Sequence, residues 1–481
     1  MKGGEPLLYE KSRPGRRGLT YPALDVPRTP DALPAGMVRS SVVDLPEVAE
    51  SEIVRHFTRL STLNHHVDRD LFPLGSCTMK YNPKFSEAVL ALPGISGVHP
   101  DQPPQTVQGL LECVYLAEKF MAAVTGLHGC TYQPSAGAQG EFTGLKLISA
   151  YHRRKGHRKD EVLIPDSAHG TNPASAALAG YRTIEIKTGK DGILEPGEVR
   201  KHLTDRTACL MVTNPSTLGL FETCLPEISE LLHQAGALVY MDGANLNGMV
   251  GVVLPGDMGV DVIQVNAHKT FASPHGGGGP CSGPVCVRDM LMPFLPGPRI
   301  ERRGAAYVLA DPGPDSIGRI HPYFGNFAVM LRMLLYVLRL GAKGLRRVGE
   351  NAVLNANYLR ARLAAAYPMP HPRVCKHEFV VSLESWKSKK GVSALDVAKR
   401  LLDFGFYAPT VYFPLIVKEA LLIEPTETES KETLDRFVDA MLAIAREADE
   451  NPAVLREAPH TTPLRRFNEA EAARSCTLCH W

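Results

Sequence analysis

The residues best suited to chemistry follow two neighbouring apolar runs. "ALVYMD" (237–242) ends at Asp242, and "DVIQVN" (261–266) is followed by Lys269. If both runs are parallel strands, their carboxyl ends open into one crevice, where α/β proteins bind ligands. A lysine there can form a Schiff base with pyridoxal phosphate, while a carboxylate keeps the pyridine nitrogen protonated. Each residue alone would more simply be a solvated lysine or a turn cap, but the pair predicts a pyridoxal phosphate site.

A run of glycines follows the lysine in "VNAHKTFASPHGGGGP" (265–280). A nucleotide phosphate loop has its glycines before the lysine, so this order excludes that class of site. Four glycines at 276–279 permit positive φ and close backbone packing. We therefore expect a tight loop against the cofactor or a neighbouring subunit.

The phosphate of such a cofactor is best held by backbone amides at a helix N-terminus. The segment "QPSAGAQGEFTGL" (133–145) offers small residues before a helix expected from about Glu141. An ordinary glycine-containing loop is the alternative for this weak motif. The predicted phosphate-binding residues are Ser135, Ala136, Gly137 and Ala138.

Two histidines and a second lysine are further candidates. His169 follows a predicted strand, where its imidazole could stack on the pyridine ring, although a hydrogen-bonded loop histidine is the alternative. His268 precedes the lysine and is a candidate to reach the phosphate. In "GSCTMK" (75–80), Ser76, Thr78 and Lys80 are interpreted as a wall of the active-site channel. Lys80 is a rival lysine, but it has no strand-end carboxylate paired with it.

The elements that must position these residues are short apolar runs that alternate with helical stretches. Such a pattern is typical of a mostly parallel sheet covered by helices on both faces. We predict an N-terminal arm (1–85), a large cofactor-binding α/β domain (86–330) and a smaller C-terminal α+β domain with the tail (331–481). The five predicted strands are 161–166, 182–187, 208–214, 237–242 and 261–266.

Composition narrows the class of protein further. Of the 481 residues, 44% are hydrophobic and 22% charged, which is typical of a globular protein. A net charge of +2 gives no basic footprint for nucleic acid. We find no apolar run long enough for a membrane helix and no export signal, and expect a cytoplasmic protein.

The cysteines are scattered, which does not indicate a disulfide framework. The terminal "CTLCHW" (476–481) matches a haem attachment pattern. That chemistry needs export, so two free thiols in an exposed tail are the better interpretation. We likewise interpret Cys77 as an inert buried thiol and expect no metal site.

Many segments resemble one family, glycine decarboxylase, the P-protein of the glycine cleavage system, and in particular the second subunit of its two-chain form. Together they span almost the whole chain. The segments are "EKSRPGRRG", "FPLGSCTMKYNP", "HPDQPPQTVQG", "QPSAGAQGE", "DSAHGTNPASA", "NPSTLGLFE", "MDGANLNG", "NAHKTFASPHGGGGP", "SIGRIHPYFGNFAV", "APTVYFPLIVKEALLIEPTETESKE" and "APHTTPLRRFNEAEAARSC".

The resemblance implies a type I pyridoxal-phosphate-dependent transferase fold with a large and a small domain. It implies that Lys269 carries the cofactor covalently, that Asp242 meets the ring nitrogen and that His169 stacks on the ring. The implied reaction is decarboxylation of glycine, with transfer of the aminomethyl group to the lipoyl arm of H-protein. The half of the undivided enzyme that is missing here implies a partner chain, subunit 1, in an α2β2 assembly.

Two other functions stay open at this stage. Another type I enzyme, such as an aminotransferase or a carbon–sulfur lyase, would normally supply an arginine for the substrate carboxylate, and Arg319 is a candidate. A non-catalytic partner subunit is the second alternative. Against it, a purely structural chain needs neither Asp242 nor Lys269.

Overall fold

The computed structural model describes residues 4–27, 33–41, 43–99, 102–276 and 281–475. Contacts divide the chain into two compact units, Met1–Arg69 and Asp70–Trp481. In the first unit, helix α1 covers Leu8–Lys11 and helix α2 covers Glu50–Thr62.

The second unit holds the remaining helices and all the strands among the described residues. Its helices are α3 (Phe85–Leu90), α4 (Pro93–Ser96), α5 (Gln108–Thr125), α6 (Gly137–Arg154), α7 (Thr171–Leu178), α8 (Pro196–His202), α9 (Leu225–Gln234), α10 (Phe327–Leu363, interrupted at Gly341), α11 (Glu384–Lys390), α12 (Ala394–Asp403), α13 (Lys431–Glu450), α14 (Pro452–Glu457) and α15 (Glu469–Arg474). Its strands are β1 (Gly129–Thr131), β2 (Glu161–Pro165), β3 (Arg182–Ile186), β4 (Thr207–Thr213), β5 (Leu238–Asp242), β6 (Val262–Gln264), β7 (Val285–Val287), β8 (Arg299–Arg303), β9 (Ala306–Ala310), β10 (Phe379–Ser382), β11 (Thr410–Val411) and β12 (Ala420–Ile423).

A seven-stranded sheet forms the centre of this unit, in the order β1-β7-β6-β5-β4-β2-β3. Strands β2 to β6 pair in parallel, and β7 is antiparallel to both β1 and β6. All five predicted strands are present, within three residues at each end. Strand β3 differs from the expected buried run because it lies at the sheet edge, where only Ile186 is buried.

Successive side chains of each strand point to opposite faces of the sheet, and they contribute to two hydrophobic cores. Leu163, Leu210 and Val239 point into the core that includes α5, α9 and α10. Their neighbours Val162, Cys209 and Tyr240 point into the opposite core, which includes α6. Both faces of the sheet are therefore covered by helices, as predicted.

The C-terminal part has its own core around a three-stranded antiparallel sheet, β10-β12-β11, with α12 and α13 packed on it. The segment before α3 joins this sheet, since Leu74 forms a bridge with Ile423 of β12. At Gly75 any Cβ would lie 2.3 Å from Leu422 Cγ, so the chain lies directly on the strand.

No helix in the described part of the chain combines the length and the apolar character needed to cross a membrane.

Helix α6 lies close to the sheet at Gly144, where an added Cβ would lie 2.4 Å from Tyr240 Cε2 and 2.9 Å from Val262 Cγ1. We expect Gly144→Ala to lower the free energy of unfolding by about 1–3 kcal/mol, because the helix must move away from a packed core. Gly197→Ala in α8 is the matched control, since its Cβ would meet no atom within 4 Å. Equal denaturation midpoints for the two variants would contradict this packing.

Candidate active site

A cavity of about 160 Å³ lies at the carboxyl ends of β4 and β5. Five of the eight predicted site residues line it, and they come from four separate stretches of the chain. These residues are Gly137, Ala138, His169, Asp242 and Lys269. The sheet therefore brings the lysine and the carboxylate into one cavity, as the strand-end argument predicts.

Asp242 is held rigidly at the end of β5. Its Oδ1 accepts hydrogen bonds from Gln264 Nε2 (2.6 Å) and from the Ala244 amide (3.0 Å), and its Oδ2 accepts from Asn172 Nδ2 (2.9 Å). The residue is 3% exposed. Because three N–H groups fix the carboxylate, its orientation toward a ligand is set before the ligand binds.

His169 belongs to a hydrogen-bonded chain that ends on a buried carboxyl group. Its Nδ1 accepts from the Thr171 amide (3.2 Å) and lies 2.9 Å from Thr171 Oγ1. Burial, and then the Lys269 cation, lower the pKa of His169, so the ring is neutral near pH 7. Thr171 Oγ1 donates to Glu141 Oε1 (2.8 Å) and Ser175 Oγ donates to Glu141 Oε2 (2.8 Å).

Glu141 is a cavity residue that the sequence did not identify as functional. Burial raises the pKa of Glu141 to about 7, and the nearby charge of Asp242 adds to this shift. The carboxyl group is therefore partly protonated at neutral pH. It fixes Thr171, and through Thr171 it fixes the position of His169.

Helix α6 begins at Gly137, four residues before the expected start at Glu141. No described residue accepts a hydrogen bond from the amides of Gly137, Ala138 and Gln139, which are the first three of the helix. At Gly137 an added Cβ would lie 2.3 Å from Asn266 Oδ1, so a side chain there would displace the Asn266 amide. These amides form a position for an anion at the end of the cavity.

Three other residues predicted near the phosphate are absent from the cavity lining. Ser135 and Ala136 do not line the cavity, and the Ser135 amide and Oγ both donate to Gln139 Oε1, at 2.6 and 2.9 Å. They therefore shape the turn before α6. His268 is also outside the cavity lining, because its Nδ1 contacts Cys281 Sγ and its ring lies 4.5 Å from that of His275.

The remaining sequence candidates divide between the cavity, the core and the surface. Ser76 lines the cavity, whereas Lys80 is buried and its Nζ donates to Glu427 Oε1 (2.6 Å) and to the Thr270 carbonyl (2.7 Å). The rival lysine is thus engaged in an ion pair.

Arg319 is exposed and does not line the cavity. Gly277–Gly279 and the terminal 476–481 motif lie outside the described residues.

The C-terminal part contributes three buried residues that sequence reasoning missed. His377 and Glu378 precede β10 and line the cavity, and Glu424 follows β12. One ligand-type atom from each lies within 4.8 Å of the others. The available signal was polar residues that interrupt apolar runs, in "KHEFVV" and "LLIEPTE", but their meeting depends on the tertiary fold.

Comparison with families of known proteins gives two matches. Residues 139–296 match the aminotransferase class-V family, and residues 348–461 match the C-terminal domain of glycine dehydrogenase. The chain is 54% identical over 477 residues to a probable glycine dehydrogenase (decarboxylating) subunit 2 from Chlorobium chlorochromatii, with 99% of each chain covered. It is 52% identical to the protein of that name from Listeria welshimeri, with 98% of this chain and 97% of the relative covered.

Solved structures agree on the fold. The chain is similar to a glycine decarboxylase (P-protein) of the glycine cleavage system in inhibitor-bound form, with a TM-score of 0.71 and 21% identity over 86% of this chain and 93% of that one. It is also similar to the cysteine desulfurase CsdA from Escherichia coli, with a TM-score of 0.60 and 13% identity over 79% of this chain and 95% of that one. The predicted fold class is confirmed.

The positive charge of Lys269 should have a measurable effect on the pKa of His169. We expect Lys269→Gln to raise the pKa of His169 in cofactor-free protein, because a positive charge that disfavours the imidazolium is removed. NMR titration of histidine-labelled protein measures this, with His169→Gln to assign the resonance. Lys187→Gln, which changes an exposed lysine paired with Glu185, is the control and should leave the titration unchanged. Identical His169 titrations in the wild type, Lys269→Gln and Lys187→Gln would contradict the proximity of Lys269 to His169.

Proposed function

Because this chain belongs to the glycine dehydrogenase (decarboxylating) subunit 2 family, we propose that it decarboxylates glycine in the cavity at the ends of β4 and β5. The remaining aminomethyl group passes to the lipoyl arm of H-protein. The observation that carries this proposal is the meeting of Lys269, Asp242 and the free amides of α6 in one cavity.

The described residues fit pyridoxal phosphate, the cofactor of the class-V fold. The unpaired amides at Gly137 and Ala138 suit its phosphate, and the missing Cβ at Gly137 lets the helix end approach Asn266. Asp242 suits the ring nitrogen, because its position is fixed by three donors. Neutral His169 suits the ring face. Lys269 is the residue that would hold the cofactor covalently.

When bound, the cofactor withdraws electrons from the α-carbon of an amino acid, so that a carboxylate can leave as carbon dioxide. Asp242 supports this withdrawal by keeping a proton on the ring nitrogen. Lys269 would hold the cofactor covalently when no substrate is bound. Glu141 and Thr171 hold the His169 imidazole in place, so that it would cover one face of the cofactor ring.

The charge of the cavity favours decarboxylation over the rival reactions. Among the described residues that line it, Lys269 is the one Lys or Arg. An aminotransferase normally anchors the substrate carboxylate on an arginine, and Arg319 lies outside this cavity. A carboxylate without a strong cationic anchor leaves more easily. A non-catalytic subunit, in turn, would not need a buried carboxylate fixed by three N–H groups.

The names of the relatives mark them as one of two subunits. We extend this to a partner chain of similar fold in an α2β2 assembly, located in the cytoplasm. Glycine and lipoylated H-protein are the other partners in the proposal.

The first test is exchange of labelled bicarbonate into the carboxyl group of glycine, with lipoylated H-protein, with and without the partner chain. We expect exchange in the wild type with the partner present and none in Lys269→Ala. Asp242→Ala should keep bound cofactor but lose most of the exchange, because Asp242 acts on the electron withdrawal rather than on attachment. Lys187→Ala is the exposed-lysine control. Exchange at the wild-type rate in Lys269→Ala would contradict the assignment.

A further inference from the structure

Two carboxyl groups and an imidazole form a buried cluster at the C-terminal side of the cavity. His377, Glu378 and Glu424 are each 3% exposed or less. His377 Nε2 lies 3.7 Å from Glu378 Oε1, and both ring nitrogens of His377 lack a hydrogen-bond partner among the described residues. The roles proposed above for Lys269, Asp242 and His169 leave this cluster without a function.

The hydrogen bonds distinguish the four carboxyl oxygens. Glu424 Oε1 accepts from Thr78 Oγ1 (2.7 Å) and Asn245 Nδ2 (2.9 Å), and its Oε2 accepts from the Thr78 amide (3.0 Å). Glu378 Oε2 accepts from the Ser76 amide at 2.6 Å. Glu378 Oε1 alone accepts no hydrogen bond from a described residue, and Glu378 lines the cavity.

Two carboxylates this close and this buried cannot both be charged without compensation. Burial, reinforced by the Glu424 charge, raises the pKa of Glu378 well above its usual range. Among the described residues, the other titratable groups that face the pair are Lys269, His377 and Cys77. Burial lowers the pKa of His377 to about 3 and raises the pKa of the Cys77 thiol, so both are neutral near pH 7.

Lys269 offsets one of the two carboxyl charges, so one proton remains on the pair, and Glu378 Oε1 is the oxygen free to carry it. The other three oxygens accept N–H or O–H donors, which disfavours an added proton on them. A carboxylic acid on a residue that lines the cavity is a proton donor suited to a reaction in that cavity.

We propose that Glu378 is the acid that protonates the departing lipoyl sulfur. This inference rests on the proposed function. After carbon dioxide leaves, the aminomethyl carbon forms a bond to one lipoyl sulfur, and the sulfur–sulfur bond breaks. The electron pair of that bond goes to the second sulfur, which takes the proton from Glu378 Oε1 and becomes a thiol. The disulfide is reduced by the two electrons that the carboxyl carbon left behind, and Glu378 regains its proton from solvent.

The test uses Glu378→Gln in the full enzyme, with the partner chain, pyridoxal phosphate and lipoylated H-protein. Glutamine keeps an oxygen for the Ser76 amide but has no acidic proton to give. The readouts are the change in cofactor absorbance on adding glycine, and the release of labelled carbon dioxide in the presence of H-protein as a function of pH. The control is Glu384→Gln, an exposed residue of α11 that pairs with Lys418.

We expect Glu378→Gln to show the same absorbance change with glycine but to release carbon dioxide about a hundredfold more slowly or worse. In the wild type the rate should fall as pH rises and the pair loses its proton, and the variant should lack this fall. Glu384→Gln should match the wild type in every readout.

Three results would overturn the inference. The first is a Glu378→Gln rate and pH profile like those of the wild type. The second is a stoichiometric divalent cation in the purified enzyme whose removal lowers the rate as much as the variant does, since the cluster would then be a metal site. The third is a wild type that binds glycine but releases no carbon dioxide, which would reject the proposed function as well.

Discussion

The structure depends on an imbalance of charge in one small cavity. Asp242, Glu141 and Glu378 line it, and Glu424 lies behind them, whereas Lys269 is the one Lys or Arg among the described lining residues. Buried carboxylates without partners are costly, so they must be hydrogen-bonded or protonated. The fold does both. Asp242 receives three N–H donors, while burial raises the pKa values of Glu141, Glu378 and Glu424. The hydrogen-bonded carboxylate of Asp242 thus differs chemically from the three glutamates, whose raised pKa values favour the protonated form.

These carboxyl groups come from both the large parallel sheet and the smaller C-terminal sheet of the second unit. The parallel strands supply Asp242 and Lys269, as a common sheet edge dictates. The three-stranded sheet supplies Glu378 and Glu424, and the segment at Ser76 and Thr78 donates hydrogen bonds to both of those carboxyls. The same segment packs on β12 through Gly75. The segment therefore fixes both carboxyl groups of the acid pair, and its Ser76 forms part of the cavity wall.

Local sequence patterns predicted what depends on strand periodicity and strand ends. The five parallel strands and the shared position of Asp242 and Lys269 follow from such patterns. The predicted start of α6 lies four residues late because Gly137 and Gly140 are poor helix formers, and the position of Gly137 in the helix depends on its packing against Asn266. Strands β1 and β7 were missed because three-residue strands carry little periodicity. The Thr78–Glu424 contact joins residues 346 positions apart, and no local pattern reports such a distance.

In the proposed function Lys269 holds the cofactor, whereas the amine of Lys80 is paired with Glu427. The most direct measurement is reduction of the cofactor-loaded protein with borohydride, followed by mass spectrometry of its peptides. We predict one pyridoxyl group per chain, on the peptide that contains Lys269. A modified Lys80 peptide, or a protein that retains no cofactor after reduction, would contradict the account.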